Sequence, residues 1–404
     1  MSDESNGRKR AATVASLGTA GLCVSLLFIV GCRRHDFPEY PANYREFAYV
    51  SNGASNTVSV FDVVNVRLDR EIQVRQNPIG VVANPKRDEV YVLNAGSGLS
   101  GGSVSVISSE NNNVVSTIPV QKEPHFLDVD AVGEFAYVAN TGSNTVSVLD
   151  LKARREIALI GTGEGPSEAR ISVDRKTLIV SNRIGDSVSI LDVAAAGQSA
   201  PTAHLRRVIE GCPGASDIVI LPDSSKAFVA CTGSHQVMAI ALERAADASG
   251  PARTDSLEAL LDVGVSPVNL ALKPDGGELF VSNSDSDSIS EVITGTNDVV
   301  GAYMMGAHPI KGLVSADNSF LYECNFRSQE VSIYAIDDGK RAGSIHVGDG
   351  PAALAFSSSG HLLFAVDARS GDLAVIRTST RSLFTLLPTG RQPNAIAIKA
   401  FRAP

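Results

Sequence analysis

Four polar side chains share one offset within a repeated segment of this 404-residue chain: Glu168, Asp217, Asn269 and Lys311, each two residues after a position that is usually proline. Paired carboxylates can exchange protons or accept hydrogen bonds, and a lysine beside them can hold an anion. Asp128 and Arg170 lie two residues further along their own segments, near the same mouth, and His125 follows Pro124 directly. The candidate ligand-binding set is therefore Asp128, Glu168, Arg170, Asp217, Asn269 and Lys311. Should the site be catalytic, Glu168, Asp217 and His125 are the candidate acid–base or ligand residues. Elsewhere Gly80, Phe126, Ala353 and Ala395 occupy the offset, so the polar group is an arc over four consecutive segments. Solvated lining is the alternative reading of that arc.

The elements that position these residues are short strands. Residues 135–150 read FAYVANTGSNTVSVLD, two alternating patterns at 136–139 and 145–149 joined by a Gly/Asn/Ser turn, as in a β-hairpin. The anchor of the Y-V-x-N tetrad recurs at Tyr49, Tyr91, Tyr137, Ile179, Phe228, Phe280, Tyr322 and Phe364, at intervals of 42, 46, 42, 49, 52, 42 and 42 residues. That period suits a four-stranded sheet repeated round an axis and exceeds that of a leucine-rich or hexapeptide solenoid. The tetrad ends in Asn at six positions and in Cys231 and Asp367 at the other two, and the seventh copy departs inside the tetrad, with Glu323-Cys324. Six residues later the next strand opens, except in the second copy, where Gly101 and Gly102 belong to an insertion before Val104.

Thirteen residues before the anchor stands Pro78, Pro124, Pro166, Pro267, Pro309 or Pro351, suited to a strand's first position, where a missing N–H breaks no ladder. The first copy lacks this run, and Pro393 to Ile398 supplies it at the far end of the chain. One sheet is thus expected to combine both termini and close the ring. Eight blades are counted, with seven as the alternative. The tetrads Tyr49-Val50-Ser51-Asn52, Tyr137-Val138-Ala139-Asn140 and Phe280-Val281-Ser282-Asn283, each followed by a T/S-V/I-S strand, resemble the YVTN β-propeller repeats of bacterial and archaeal cell-surface proteins. The resemblance runs from about Phe47 to Ile398. It implies an all-β propeller of four-stranded antiparallel blades at the cell surface or in the periplasm, usually with no assigned reaction.

Residues 8–10 are Arg-Lys-Arg, followed by an apolar run from Ala11 to Val30 and then Gly31-Cys32. This resembles a bacterial lipoprotein signal, with Cys32 as the lipidated residue; a retained membrane anchor or ordinary secretion are the alternatives. The domain reading is 1–31 signal, 32–46 tether and 47–404 propeller. Removing residues 1–31 takes away Asp3, Glu4, Arg8, Lys9 and Arg10, which moves the net charge from −9 to −10. Such an acidic domain is a poor partner for nucleic acid, so lipid on Cys32 must hold it at the membrane. Cys23 lies in the signal, and Cys324 sits on a strand as a core thiol. Cys212 and Cys231 flank a hairpin turning near Asp223, so in an oxidising envelope they form a candidate disulfide, the alternative being two buried thiols.

Absences narrow the chemistry. The sequence has no Trp, which disfavours quinoprotein propellers, no C-x-x-C-H for covalent haem and no G-x-S-x-G elbow. Residues 283–288 superficially resemble a calcium loop but lack its glycine and terminal glutamate and align with the ordinary hairpin turns. His125 and His308 alone do not make a metal site, since no third ligand recurs beside them. No cofactor and no metal are expected. Insertions at 194–205 and 241–261 lengthen the fourth and fifth copies between their third and fourth strands. The favoured function is a lipid-anchored binding or scaffold protein for a protein, glycan or small ligand at the cell envelope. The alternative is a lactonase-like hydrolase at the channel mouth.

Overall fold

The computed structural model describes residues 38–97, 101–193, 203–243 and 252–402. The compact unit Ala42–Pro404 is a ring of eight four-stranded antiparallel sheets, an eight-bladed β-propeller, as the repeat count predicts. Blade 1 pairs the C-terminal strand Pro393–Arg402, innermost, with Tyr44–Asn52, Thr57–Asp62 and Arg67–Gln73. Blades 2 to 8 run outward in chain order over 78–119, 124–161, 166–210, 215–262, 267–304, 309–346 and 351–388. Val50 lies opposite Ile396, so the expected closure is present, and the pairing extends back to Tyr44 opposite Arg402. Each innermost strand packs against its neighbours on both sides, which closes the channel wall.

Second and third strands are buried on both faces, so they read as near-continuous apolar runs. Their side chains fill the gaps between blades. Tyr137, Val146 and Val148 of blade 3, for example, meet Leu178, Val180 and Leu191 of blade 4. The tetrad Asn ties its own hairpin: Asn140 Nδ2 donates to Ser147 Oγ (2.9 Å), Asn182 Nδ2 to Ser189 Oγ (2.9 Å) and Asn283 Nδ2 to Ser290 Oγ (3.0 Å). The fourth strands form the outer rim and are mostly exposed.

The hairpin turn after the tetrad ends on a residue with positive φ, among them Asn56, Asn144, Asp186, His235 and Asp287. Asn and Asp tolerate that left-handed conformation, and here they have a second task. Asn56, Asn144, Asp186 and Asp287 each accept, through Oδ1, the N–H of the residue preceding the next blade's inner strand: Asn77, Gly165, Gly214 and His308, at 2.8–2.9 Å. The segment 283–288 is thus an ordinary inter-blade turn, and the Asp287 carboxylate is spent on a backbone bond.

Cys212 and Cys231 form a disulfide with a Cα–Cα separation of 4.8 Å, both residues fully buried. Cys324 is a buried free thiol. The two insertions leave their blades between the third and fourth strands, as expected; 194–202 and 244–251 lie outside the described residues. The base of the second is fastened to blade 4: Arg206 Nη2 donates to Asp255 Oδ1 (2.9 Å) and Arg207 Nη1 to the Asp255 carbonyl (2.8 Å). Among the described residues no helix is long and apolar enough to cross a membrane. Residues 1–37, including the apolar run and Cys32, also lie outside them.

Candidate functional site

Every inner strand carries a register shift directly after its first residue, so two residues oppose one on the partner. Such a bulge re-aims side chains. Here it turns both the first and second residues after the landmark position toward the channel mouth. A cavity of about 330 Å³ results, lined by His125, Glu168, Asp217, Asn269, Lys311 and Arg183, with Phe126, Ser167, Ser216 and Thr232 among the other walls. Five of the seven sequence candidates therefore share one chamber. Arg183 was not among them. It is the only cation directly following a tetrad, which is the sequence signal that points to it.

The arc is bonded rather than merely solvated. An innermost strand has no inner partner, so half of its N–H groups would go unpaired. Glu168 Oε2 accepts the N–H of Ile218 (2.7 Å), Asp217 Oδ2 that of Leu270 (2.7 Å), and Asn269 Oδ1 that of Gly312 (2.8 Å). Asn269 Nδ2 also donates to Asp217 Oδ2 (2.6 Å). Each of these side chains fastens the next blade. Lys311 ends the series because an ammonium has no lone pair to offer an N–H. Neither Lys311 nor Arg183 has a side-chain hydrogen bond or ion pair within the described residues. His125 Nδ1 lies 2.9 Å from the Ser167 carbonyl, which only accepts, so Nδ1 carries the proton and the Nε2 lone pair is left available.

Asp128 and Arg170 lie elsewhere. They line a second cavity of about 370 Å³ with Ile171, Ser172 and Val173, toward the C-terminal ends of the inner strands and hence the opposite mouth. Two further residues along a strand of six carry a side chain that far. Arg170 joins the two chambers: Nη2 is 2.8 Å from Glu168 Oε1 and 4.0 Å from Asp217 Oδ1, Nη1 is 3.6 Å from Asp128 Oδ1, and the guanidinium lies 4.3 Å over the Phe126 ring. Asp128 Oδ2 accepts the Ile171 N–H (3.1 Å), the same inter-blade bond at a lower level. Burial raises the Glu168 pKa well above the usual carboxylate range; Arg170 opposes this and Asp217 adds to it. Burial also raises Asp128, against Arg170.

Behind Lys311 lies the residue that breaks the seventh tetrad. Glu323 replaces the valine of the tetrad, is fully buried, and stands opposite Gly312 in the ladder. A Cβ on Gly312 would sit 2.7 Å from Glu323 Oε2, so the glycine makes the room the carboxyl fills. Neither carboxyl oxygen has a hydrogen-bond partner of ordinary geometry, and burial pushes the group up to about 8. Among the described residues no group of three or more His, Cys, Asp or Glu is arranged to hold a metal. His308 Nδ1 faces the Ser284 carbonyl (3.0 Å), and the residue is not part of the chamber that His125 lines.

No family model matches the chain, and no curated protein matches it. Solved structures do. The dihydro-heme d1 dehydrogenase NirN in complex with DHE is similar over 89% of this chain and 76% of its own, with a TM-score of 0.70 and 16% identity. Apo AztD from Citrobacter koseri is similar over 89% and 99%, with a TM-score of 0.62 and 14% identity. A candidate 6-phosphogluconolactonase from Bacteroides fragilis is similar over 90% and 100%, with a TM-score of 0.57 and 14% identity. Likeness at these identities concerns the fold alone.

Proposed function

We propose that this propeller is an extracytoplasmic binding protein, lipid-anchored through Cys32, whose upper channel mouth captures a small anionic ligand. The observation that carries the reading is the division of labour round the chamber. Glu168, Asp217 and Asn269 are committed to the N–H groups of neighbouring strands, whereas Lys311, Arg183 and the His125 Nε2 are uncommitted. A concave site with fixed acceptors and free cations favours a ligand bearing a carboxylate or phosphate together with a hydrogen-bond donor. NirN, with a similar fold, is solved with DHE bound, which supports ligand capture as a use of such a ring. The buried Cys212–Cys231 disulfide supports an oxidising compartment.

Calorimetric titration with inorganic phosphate, citrate, 6-phosphogluconate and haem tests this. At least one should bind, and Lys311→Ala combined with Arg183→Ala should weaken it by 10- to 100-fold. Absence of binding by all four would overturn the anion reading. Cys32→Ser should shift the protein from membrane to soluble fractions, and unchanged detergent partition would mean a retained apolar anchor.

The hydrolase reading keeps one favourable observation, a buried Glu168 of raised pKa beside Asp217. Its test needs care, because alanine at either position also removes an inter-blade bond. Glu168→Gln and Asp217→Asn retain an acceptor oxygen while removing acid–base capacity. Lactone turnover by the parent protein, lost in both variants, would establish the hydrolase and displace the binding role.

A further inference from the structure

We propose that a third cavity, between blades 7 and 8 on the face opposite the Lys311 chamber, binds a neutral saccharide. Its volume is about 460 Å³, within the range of ordinary small-ligand sites. It lies against the turns that follow the inner strands of the two blades, and the sequence of blade 8 explains the space. Where blades 2, 5 and 6 carry Pro85-Lys86, Pro222-Asp223 and Pro274-Asp275 in this turn, blade 8 has Ser357-Ser358-Ser359-Gly360, four small residues in succession.

The hydroxyl of Tyr322, the accessible tip of a buried side chain, is the independent sign of a ligand. In blade 1 the Tyr49 hydroxyl donates to Asn112 Oδ1 of the next blade (2.6 Å), and in blade 2 Tyr91 donates to Glu89 Oε2 (2.8 Å) and accepts from Asn84 Nδ2 (2.9 Å). Tyr322 is 2% exposed, lines the cavity and makes no such bond within the described residues. Arg381 holds the place of Asn112, directly before the fourth strand and with the same positive φ (51° against 53°), yet its guanidinium stacks 4.8 Å over the Phe320 ring. The tyrosine therefore presents its hydroxyl to the cavity. Tyr137 also lacks a hydrogen-bond partner, but it sits beside the Arg175–Asp130 ion pair.

The remaining lining specifies the class. Phe320 and Phe356 are partly exposed and offer apolar ring surface to sugar C–H groups. Ser358 and Ser379 contribute hydroxyls not engaged elsewhere, and Asp317 keeps Oδ2 free while Oδ1 accepts from Ser315 and the Ser319 N–H. A wholly apolar ligand would strand these groups, and an anion would meet the Asp317 carboxylate with no free cation among the lining residues. Polyhydroxylated, uncharged ligands satisfy donors and acceptors together.

This site is independent of the anion chamber and is tested separately, by saturation-transfer NMR and calorimetry with maltose, cellobiose and N,N'-diacetylchitobiose at millimolar concentration. At least one should bind, with affinity reduced about tenfold in Tyr322→Phe and abolished in Ser358→Leu, which fills the cavity. Lys311→Ala should leave saccharide binding unchanged. Failure of all three sugars to bind, or binding indifferent to both cavity variants, would overturn the proposal. Melting temperatures matching the parent show that each variant is folded.

Discussion

Two acids depart from the repeat, and their burial sets how stability answers to pH. Asp367 stands where six blades have Asn, opposite Asp372, and burial together with that neighbour pushes it up to about 9. Such a group keeps its proton in the native state through a range in which the unfolded chain has lost it. Stability therefore falls as pH rises from about 4, the ordinary Asp value, toward about 9. Asp367→Asn restores the repeat residue and should add roughly 1–3 kcal/mol near neutral pH and little at pH 4, read from melting temperature against pH. Glu323→Gln should likewise flatten the decline that Glu323 produces between its ordinary range and about 8. The sequence showed both positions as broken tetrads. It did not show their protonation, which depends on how deeply the fold buries them and on neighbours such as Asp372 beside Asp367. Glu168, Asp217, Asn269 and Lys311 were legible because one offset repeated. Asp128 and Arg170 line the other cavity, a placement that strand length decides and offset alone does not show.

At the level of strands and turns, the blades are held side by side by backbone donors meeting side-chain acceptors as well as by apolar packing. Asn144→Gly keeps the left-handed turn and removes only the bond to Gly165, so it should cost about 1 kcal/mol; Asn144→Ala should cost about 1 kcal/mol more through backbone strain. Chemical denaturation of the two variants separates the contributions. Opening the Cys212–Cys231 link, which closes a separation of 19 residues, should lower stability by about 3 kcal/mol, and the double Ser variant measures it. These hairpins were readable from alternation and turn residues. The bulge after each landmark proline was not, because it arises from how an inner strand fits its partner, and so the wall residues Ser167 and Ser216 escaped notice.

For the whole molecule, ring closure was legible because the first repeat lacked a strand that the chain's end supplies. A chain ended after Pro388 would leave blade 1 without Pro393–Arg402 and its inner edge bare. Such a truncation should lose the cooperative melting transition and become protease-sensitive, with the full chain as control. That last pairing also governs the order of events during biosynthesis. The Ser51 hydroxyl donates to Asn394 Oδ1 across 343 positions, so the sheet made first must wait, with one flank open, until nearly all of the polypeptide has been produced. Contacts so distant in sequence form slowly, and an open flank invites foreign strands meanwhile. The protein's vulnerable interval is therefore its own synthesis, when a chaperone able to shield one naked strand would matter most.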